Sequence, residues 1–164
     1  MGAGKSSVGR ALAHRTGLPV LDTDRLVSER FGLPITEIFA QRGEDEFRAC
    51  ETALLAEIPA QPAIVVTGGG IVLRAENVVA MKRLGTVVHL TANEETLFER
   101  ATRRATRPLL ETNAPRATFA ELLRLRAPLY ASAADVVVDT TGFRHEEVAI
   151  AILDATAPLE PHVD

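Results

Sequence analysis

The chain opens with the stretch MGAGKSS at residues 1–7, and this stretch decides the fold. It matches the second half of the phosphate-binding pattern G-x-x-x-x-G-K-[ST], with Gly4, Lys5 and Ser6 as its core. Such a loop normally follows a buried β-strand and opens an α-helix. Here the helix follows, but the strand and the first glycine of the pattern do not precede the loop. The stretch predicts an α/β fold that binds a nucleoside triphosphate.

The composition indicates one globular domain. The chain has 164 residues, of which 46% are hydrophobic and 24% charged, so a core is expected and disorder is not. The net charge of -4 disfavours a nucleic-acid surface, and no apolar run is long enough for a membrane span. The single cysteine excludes an intrachain disulfide and fits a reducing compartment. We therefore expect a cytoplasmic monomer without nucleic-acid or membrane partners.

Helical and strand patterns alternate along the chain. Strands are predicted over 18–21, 63–67, 86–90 and 135–138. Helices are predicted over 5–16, 24–30, 35–41, 44–58, 78–84, 93–104, 116–132 and 145–155, and a loop over 106–115. Thr23 or Asp24 is the expected cap of the second helix. Apolar strands alternating with helices predict a parallel sheet covered on both faces.

The phosphate-binding loop is the strongest chemical signal. Its glycines let backbone N–H groups approach phosphate oxygens, and the helix start adds partial positive charge. Lys5 reaches the β- and γ-phosphates in this motif, and the Ser6 hydroxyl is a ligand for Mg²⁺. The competing interpretation is a glycine-rich helix start with a surface lysine.

Two carboxylates, Asp22 and Asp24, follow the first predicted strand. In open α/β sheets, ligands bind at this edge. Asp22 is a candidate to hold Mg²⁺ through water, and Asp24 to accept the proton of an acceptor hydroxyl. The competing interpretation is a helix cap beside a solvated acid.

Glycines and arginines supply the remaining candidates. Gly68, Gly69 and Gly70 follow the strand over 63–67 and permit close approach of a ligand, unless they form only a flexible turn. Arg48 and Arg126 suit bidentate capture of a carboxylate. A third set surrounds the end of one helix and the loop after it, where it is a candidate phosphate-binding lid: Arg100, Arg103, Arg104 and Arg107. For any single arginine, a solvated helix face is the simpler interpretation.

Taken together, these stretches resemble the shikimate kinase family. The matching stretches, in the order of the family and over nearly the whole chain, are GAGKS at 2–6, LDTD at 21–24, IFAQRGEDEFRACE at 38–51, the glycines at 68–70, RPLL at 107–110 and RAPLY at 126–130. The resemblance implies a P-loop fold like that of nucleoside-monophosphate kinases, spanning 1–157, with a lid at about 105–116 and a flexible tail at 158–164. It also implies phosphorylation of the 3-hydroxyl of shikimate by ATP, with Mg²⁺, in aromatic amino-acid biosynthesis.

The resemblance also assigns roles to individual residues. The ATP phosphates would contact Gly2, Ala3, Gly4, Lys5, Ser6 and Ser7. Ser6 would bind Mg²⁺ directly, and Asp22 would hold the ion through water. Arg107 would lie near the γ-phosphate, and Arg100 near adenine. Lys5, Asp24 and Arg107 would be catalytic. Shikimate would contact Asp24, Arg48, Glu51, Gly68, Gly69, Gly70 and Arg126.

The chain departs from the family pattern in two places. A basic residue that contacts adenine in many members has no clear counterpart, because the stretch at 141–144 reads TGFR and Arg144 matches only with a shift in register. The family's first, central strand is also missing before the phosphate-binding loop. Its loss is expected to destabilise the domain severely. The hypothesis is that Met1 is an internal methionine and that the natural chain begins about ten residues earlier, since a typical strand has about five to six residues.

Two other functions stay open at this stage. A related kinase, for example one acting on gluconate, is disfavoured by the FR-x-x-E and RAPLY stretches. A non-catalytic nucleotide-binding protein is disfavoured because Lys5, Ser6, Asp22, Asp24 and Arg107 are all retained. Cys50 and Tyr130 are interpreted as packing residues, and the four histidines show no metal-ligand spacing.

Overall fold

The structure is a computed structural model that describes residues 2–103 and 112–157. Four strands and seven α-helices lie in these ranges. The strands are β1 (Val20–Asp22), β2 (Ile64–Val66), β3 (Val88–Thr91) and β4 (Val136–Asp139). The helices are α1 (Lys5–Thr16), α2 (Thr23–Phe31), α3 (Ile35–Glu57), α4 (Ala75–Leu84), α5 (Glu94–Thr102), α6 (Pro115–Ala133) and α7 (His145–Thr156), with a short 3₁₀ turn at Ile71–Leu73.

Most helix boundaries follow local sequence signals. Helix α1 ends where Gly17 adopts a left-handed conformation, with φ of 72°. Gly43, with φ of 82°, interrupts α3 and divides it at the position where the sequence predicts two helices. Helix α4 begins at Ala75, earlier than the predicted residue 78.

The predicted cap of α2 is wrong. Asp22, rather than Thr23 or Asp24, caps this helix, because its Oδ1 accepts hydrogen bonds from the backbone N–H groups of Asp24 at 3.1 Å and Arg25 at 3.4 Å. The Thr23 hydroxyl instead accepts a hydrogen bond from the N–H of Gly68. Asp24 therefore does not cap α2.

The strands form two parallel pairs. In the first, Val20 of β1 lies opposite Ile64 of β2, and in the second, Val88 of β3 lies opposite Val136 of β4. A cleft separates β2 from β3, and no strand lies between them within residues 2–103 and 112–157. This arrangement agrees with the expectation of a sheet that lacks its central strand.

Helices cover both faces of the strands. On one face, α1 and α7 pack on β4 through Val8, Val138, Val148 and Ile152. On the other, Leu55, Ile71, Met81 and Ala133 form a cluster with contributions from α3, α4 and α6. The predicted parallel α/β architecture is confirmed, and it places the carboxyl ends of the strands beside the start of α1.

Part of the predicted lid and tail lies outside the described residues. Arg104, Arg107 and the stretch 158–164 belong to that part, and so do residues 105–111 of the lid. Of the remaining lid residues, Pro115 already begins α6. Across the described helices, none combines the length and the apolar character that a membrane crossing requires.

Candidate active site

The phosphate-binding loop lies at the start of α1. Gly2 and Gly4 have φ of 76° and 83°, a left-handed region that favours glycine. A Cβ on Gly2 would lie 2.1 Å from the carbonyl oxygen of Leu97, so the loop also needs glycine for space. Helix α1 begins at Lys5, so the loop leads into a helix N-terminus with its partial positive charge, and Ser7 and Val8 donate hydrogen bonds to the carbonyl oxygen of Gly4 at 3.0 and 2.9 Å. The loop can therefore bind an anion through backbone N–H groups.

Ser6 connects this loop to the end of β1. Its hydroxyl donates a hydrogen bond to Oδ2 of Asp22 at 3.4 Å. The other oxygen of Asp22 caps α2, so the carboxylate is oriented from both sides. The predicted juxtaposition of Ser6 and Asp22 is present, and it groups hard oxygen ligands next to the helix start.

Asp24 and Glu51 both lie against Gly68 of the glycine loop. A Cβ placed on Gly68 would lie 2.6 Å from Oδ1 of Asp24 and 2.8 Å from Oε1 of Glu51. Glycine at position 68 is thus required for the two carboxylates to approach the loop. Three elements, α2, α3 and the loop after β2, meet at this point.

Glu51 is fully buried. Burial raises the pKa of its carboxyl group, Arg48 opposes this rise, and the negative charge of Asp24 adds to it. Its Oε2 accepts a hydrogen bond from Arg48 at 2.5 Å, whereas its Oε1 has no hydrogen-bond partner among the described residues. A buried carboxylate oxygen without a hydrogen-bond partner destabilises the fold. We therefore expect a ligand hydroxyl or a water to donate a hydrogen bond to this atom.

Arg48 is held in a fixed position. Its Nε and Nη2 donate to Oε1 of Glu44 at 3.1 and 2.9 Å, and its Nη1 donates to Glu51. Burial lowers the pKa of Arg48, but the Glu51 and Glu44 carboxylates outweigh this and hold it above its ordinary value. A Cβ on Gly70 would lie 2.3 Å from the guanidinium, so the glycine loop also lies directly against Arg48.

Arg126 is a buried residue of α6, the helix that contacts the glycine loop. It is 6% exposed, and four residues further along the helix Tyr130 donates a hydrogen bond to the carbonyl oxygen of Gly69 at 2.5 Å. Helix α6 is therefore tied to the glycine loop one turn after Arg126. The loop lies against Arg48 at Gly70 and is tied to the helix of Arg126 at Gly69.

Arg100 lies beside the end of β4. Its Nη1 and Nη2 donate to the hydroxyl and the carbonyl oxygen of Thr140, at 2.9 and 3.1 Å, just after β4. The start of α7 lies next to the phosphate-binding loop, since a Cβ on Gly4 would be 3.4 Å from Nε2 of His145. Arg144 forms the start of α7, where its backbone N–H donates to Glu147 at 2.7 Å.

Sequence reasoning missed two residues of this region. The sequence predicts only a packing role for Tyr130, and it gives no metal-ligand spacing or other role for His145. His145 follows the last strand, at the edge where ligands bind, and this position was the available signal. Tyr130 had no such signal, since its partner Gly69 is 61 residues away in sequence.

Comparison with known proteins assigns the chain to a family. A family model described as shikimate kinase matches residues 1–157. A shikimate kinase of Pseudomonas syringae pv. tomato is 43% identical over 98% of this chain and 94% of its own length. One from Thermodesulfovibrio yellowstonii is 40% identical over 93% of this chain and 88% of its own length.

Solved structures agree with this assignment. The shikimate kinase of Acinetobacter baumannii in complex with shikimate has a TM-score of 0.89 at 37% identity, covering 94% of this chain and 87% of that one. The shikimate kinase of Bacteroides thetaiotaomicron has a TM-score of 0.83 at 29% identity, covering 94% of this chain and 93% of that one. With its phosphate-binding loop and its buried carboxylate and arginine cluster, the chain belongs to the shikimate kinase family, the ATP-dependent kinases that phosphorylate shikimate in aromatic amino-acid biosynthesis.

Proposed function

We propose that this chain transfers the γ-phosphoryl group of ATP to the 3-hydroxyl of shikimate through the residues assembled around Gly68–Gly70. The observation that carries the proposal is the meeting of Asp24, Glu51 and Arg48 at this loop, beside the Ser6–Asp22 contact of the phosphate-binding loop. Asp24, Glu51 and Arg48 suit an acceptor with hydroxyls and a carboxylate. The phosphate-binding loop with Ser6 and Asp22 suits a triphosphate. Their proximity is what an in-line phosphoryl transfer requires.

On the acceptor side, the carboxylate of Asp24 orients the reacting hydroxyl and takes its proton as the bond to phosphorus forms. Glu51 accepts a hydrogen bond from a second ring hydroxyl through its Oε1, the buried oxygen without a partner among the described residues. Arg48 and Arg126 bind the carboxylate of shikimate, with charge-assisted hydrogen bonds to its two oxygens. Gly68–Gly70 complete the wall of the pocket.

On the nucleotide side, backbone N–H groups of Gly2–Ser7 bind the phosphates, and Lys5 and Arg107 neutralise the charge that the transferred group carries. Arg107 lies outside the described residues, so its role rests on the RPLL stretch at 107–110. Arg100 binds near adenine, in keeping with its position at the end of β4 beside the start of α7.

Ser6 and Asp22 would hold Mg²⁺. Their hydroxyl and carboxylate oxygens are 3.4 Å apart, and such hard donors, together with phosphate oxygens, fit this ion. Within the described residues no cluster of three or more acidic, histidine or cysteine side chains forms a metal cage, and Mg²⁺ at a nucleotide needs none. When bound, Mg²⁺ would supply positive charge to the β- and γ-phosphates.

The test is ADP release measured in a coupled assay with shikimate, gluconate and nucleoside monophosphates as acceptors. We expect turnover with shikimate only. Turnover with gluconate but not shikimate would replace the proposed acceptor, and ATP binding without turnover of any acceptor would favour a nucleotide-binding protein.

We also infer that the enzyme acts as a cytoplasmic monomer. Every residue assigned to the site comes from this one chain, and the single cysteine and the use of ATP are in keeping with a reducing, ATP-containing compartment. Light scattering during size-exclusion chromatography measures the oligomeric state, and a stable dimer would contradict the inference.

A further inference from the structure

Tyr130 of α6 contacts both the glycine loop and strand β3. It is the single tyrosine of the chain, lies one helical turn after Arg126, and is half-buried. Its ring stacks on His89 of β3, with centroids 5.0 Å apart and planes inclined by 25°. Burial lowers the pKa of His89, and the nearby charge of Lys5 lowers it further. The stacked ring therefore has a defined orientation, and its hydroxyl is directed to one acceptor, the carbonyl oxygen of Gly69.

The glycine loop is fastened at two points. On the α2 side, the Gly68 N–H donates to the Thr23 hydroxyl at 3.2 Å. On the α6 side, the Gly69 carbonyl accepts from Tyr130 at 2.5 Å. The Gly69 carbonyl and the Gly70 N–H belong to one planar trans peptide unit, so the Tyr130 hydroxyl fixes the direction of the Gly70 N–H as well.

The position of Gly70 matters because Arg48 lies against it. A Cβ on Gly70 would be 2.3 to 2.5 Å from three guanidinium atoms of Arg48, so a rotation of the Gly69–Gly70 peptide would change the wall that this arginine faces. Arg48 has little room to follow, since Glu44 and Glu51 hold it through three hydrogen bonds. The shape of the acceptor pocket thus depends on the loop conformation.

We propose that Tyr130 is a positioning residue for the acceptor: its hydroxyl holds the Gly69–Gly70 peptide against Arg48 and so aligns the glycine loop with the two arginines that bind shikimate. The inference rests on the proposed function and extends it. It assigns to α6 a second task besides carrying Arg126. The simpler alternative is that Tyr130 only attaches α6 to the rest of the domain.

The variant Tyr130→Phe separates the two, because it removes the hydroxyl and keeps the ring on His89. Loss of one neutral hydrogen bond that positions the loop should raise the KM for shikimate about three- to tenfold. The KM for ATP should stay within about twofold of wild type, since the phosphate-binding loop is on another element. A lower thermal unfolding temperature with an unchanged shikimate KM would overturn the proposal in favour of simple attachment.

Ser132→Ala is the matched control. It also removes a hydroxyl that donates to a backbone carbonyl near the end of α6, that of Leu129 at 3.0 Å, but it lies on the exposed surface. Its shikimate KM should equal that of wild type. An equal rise in both variants would show a general effect on α6 and would overturn the proposal.

A binding measurement covers the case in which Tyr130→Phe does not fold. Incorporating 3-fluorotyrosine labels only Tyr130 and keeps the hydroxyl. The ¹⁹F resonance should shift on adding shikimate and stay in place on adding ADP alone. A resonance unmoved by saturating shikimate would refute the positioning role, whereas wild-type protein that neither binds nor turns over shikimate would refute the proposed function itself.

Discussion

Arg48 and Glu51 form a buried ion pair that uses only one side of the carboxylate. Nη1 of Arg48 donates to Oε2 of Glu51 at 2.5 Å, while Oε1 of Glu51 faces Gly68 with no hydrogen-bond partner among the described residues. The two residues are one turn apart on α3, and both are almost completely buried. Keeping an unsatisfied oxygen in such a place costs about 1–3 kcal/mol, which is understandable if a substrate hydroxyl completes the site.

The first prediction concerns the pH dependence of stability. Burial raises the pKa of Glu51 above its ordinary 4.5, so the folded protein holds this proton more tightly than the unfolded chain does. The resulting stabilisation is complete below pH 4.5 and is lost as the pH rises through the folded-state pKa. The variant Glu51→Gln has no carboxyl group at this position and cannot ionise there. Urea unfolding at about pH 5 and about pH 8 should show the wild type losing stability relative to the variant at the higher pH. A difference that stays constant would contradict the raised pKa.

The second prediction concerns Asp24. Asp24→Asn should lower kcat by a factor of about 10²–10⁴, the usual range for a general base, while the circular dichroism spectrum stays unchanged. Helix α2 should persist because Asp22 supplies its cap. Steady-state kinetics with saturating ATP and shikimate measure the effect. A kcat within threefold of wild type would remove Asp24 from the chemical step.

The third prediction concerns Asp22 and magnesium. Asn caps helices about as well as Asp, so Asp22→Asn should keep the fold while removing one negative charge from the metal site. The Mg²⁺ concentration that gives half-maximal activity should rise several-fold, and a magnesium titration of initial rates measures it. If the titration curve coincided with that of wild type, Asp22 would have no part in binding the ion.

The fourth prediction concerns the arginine clamp. Arg126→Ala should raise the KM for shikimate about ten- to a hundredfold, the effect of losing a charge-assisted pair worth about 1.5–3 kcal/mol, and should leave the KM for ATP nearly unchanged. Arg124→Ala is a matched control on the same helix, since Arg124 is exposed and pairs with Glu121. An unchanged shikimate KM in Arg126→Ala would refute the role.

The fifth prediction concerns the space at Gly70. Gly70→Ala would place its Cβ against the guanidinium of Arg48, which three hydrogen bonds hold in place. The clash should displace Arg48 and raise the KM for shikimate by at least about tenfold, roughly the effect of one lost charged contact. In Gly85→Ala, where nothing lies within 4 Å of the added carbon, the KM should not change. Equal kinetics in the two variants would show that the loop and Arg48 are not tightly packed.

Many residues of the candidate site could be predicted from the sequence, because short local motifs indicate their chemistry. The loop at 2–7 needs only its own glycines, lysine and serine, and α1 begins where the pattern places it. Asp22, Asp24 and the glycines follow strands, so the parallel arrangement brings them to one edge. The capping residue of α2 was misassigned because Asp22, Thr23 and Asp24 are all competent caps, and only the backbone conformation at the strand end selects one.

By itself, the sequence determined the order of strands and helices and the chemistry of each candidate side chain, because hydrogen-bond periodicity, caps and glycine conformations act over a few residues. Only the tertiary structure decided which distant groups meet: Tyr130 with Gly69, His145 with Gly4, and both Asp24 and Glu51 with Gly68. Those contacts depend on how whole helices pack on the strands. The residues next to a side chain in the sequence do not predict which partner this packing brings to it.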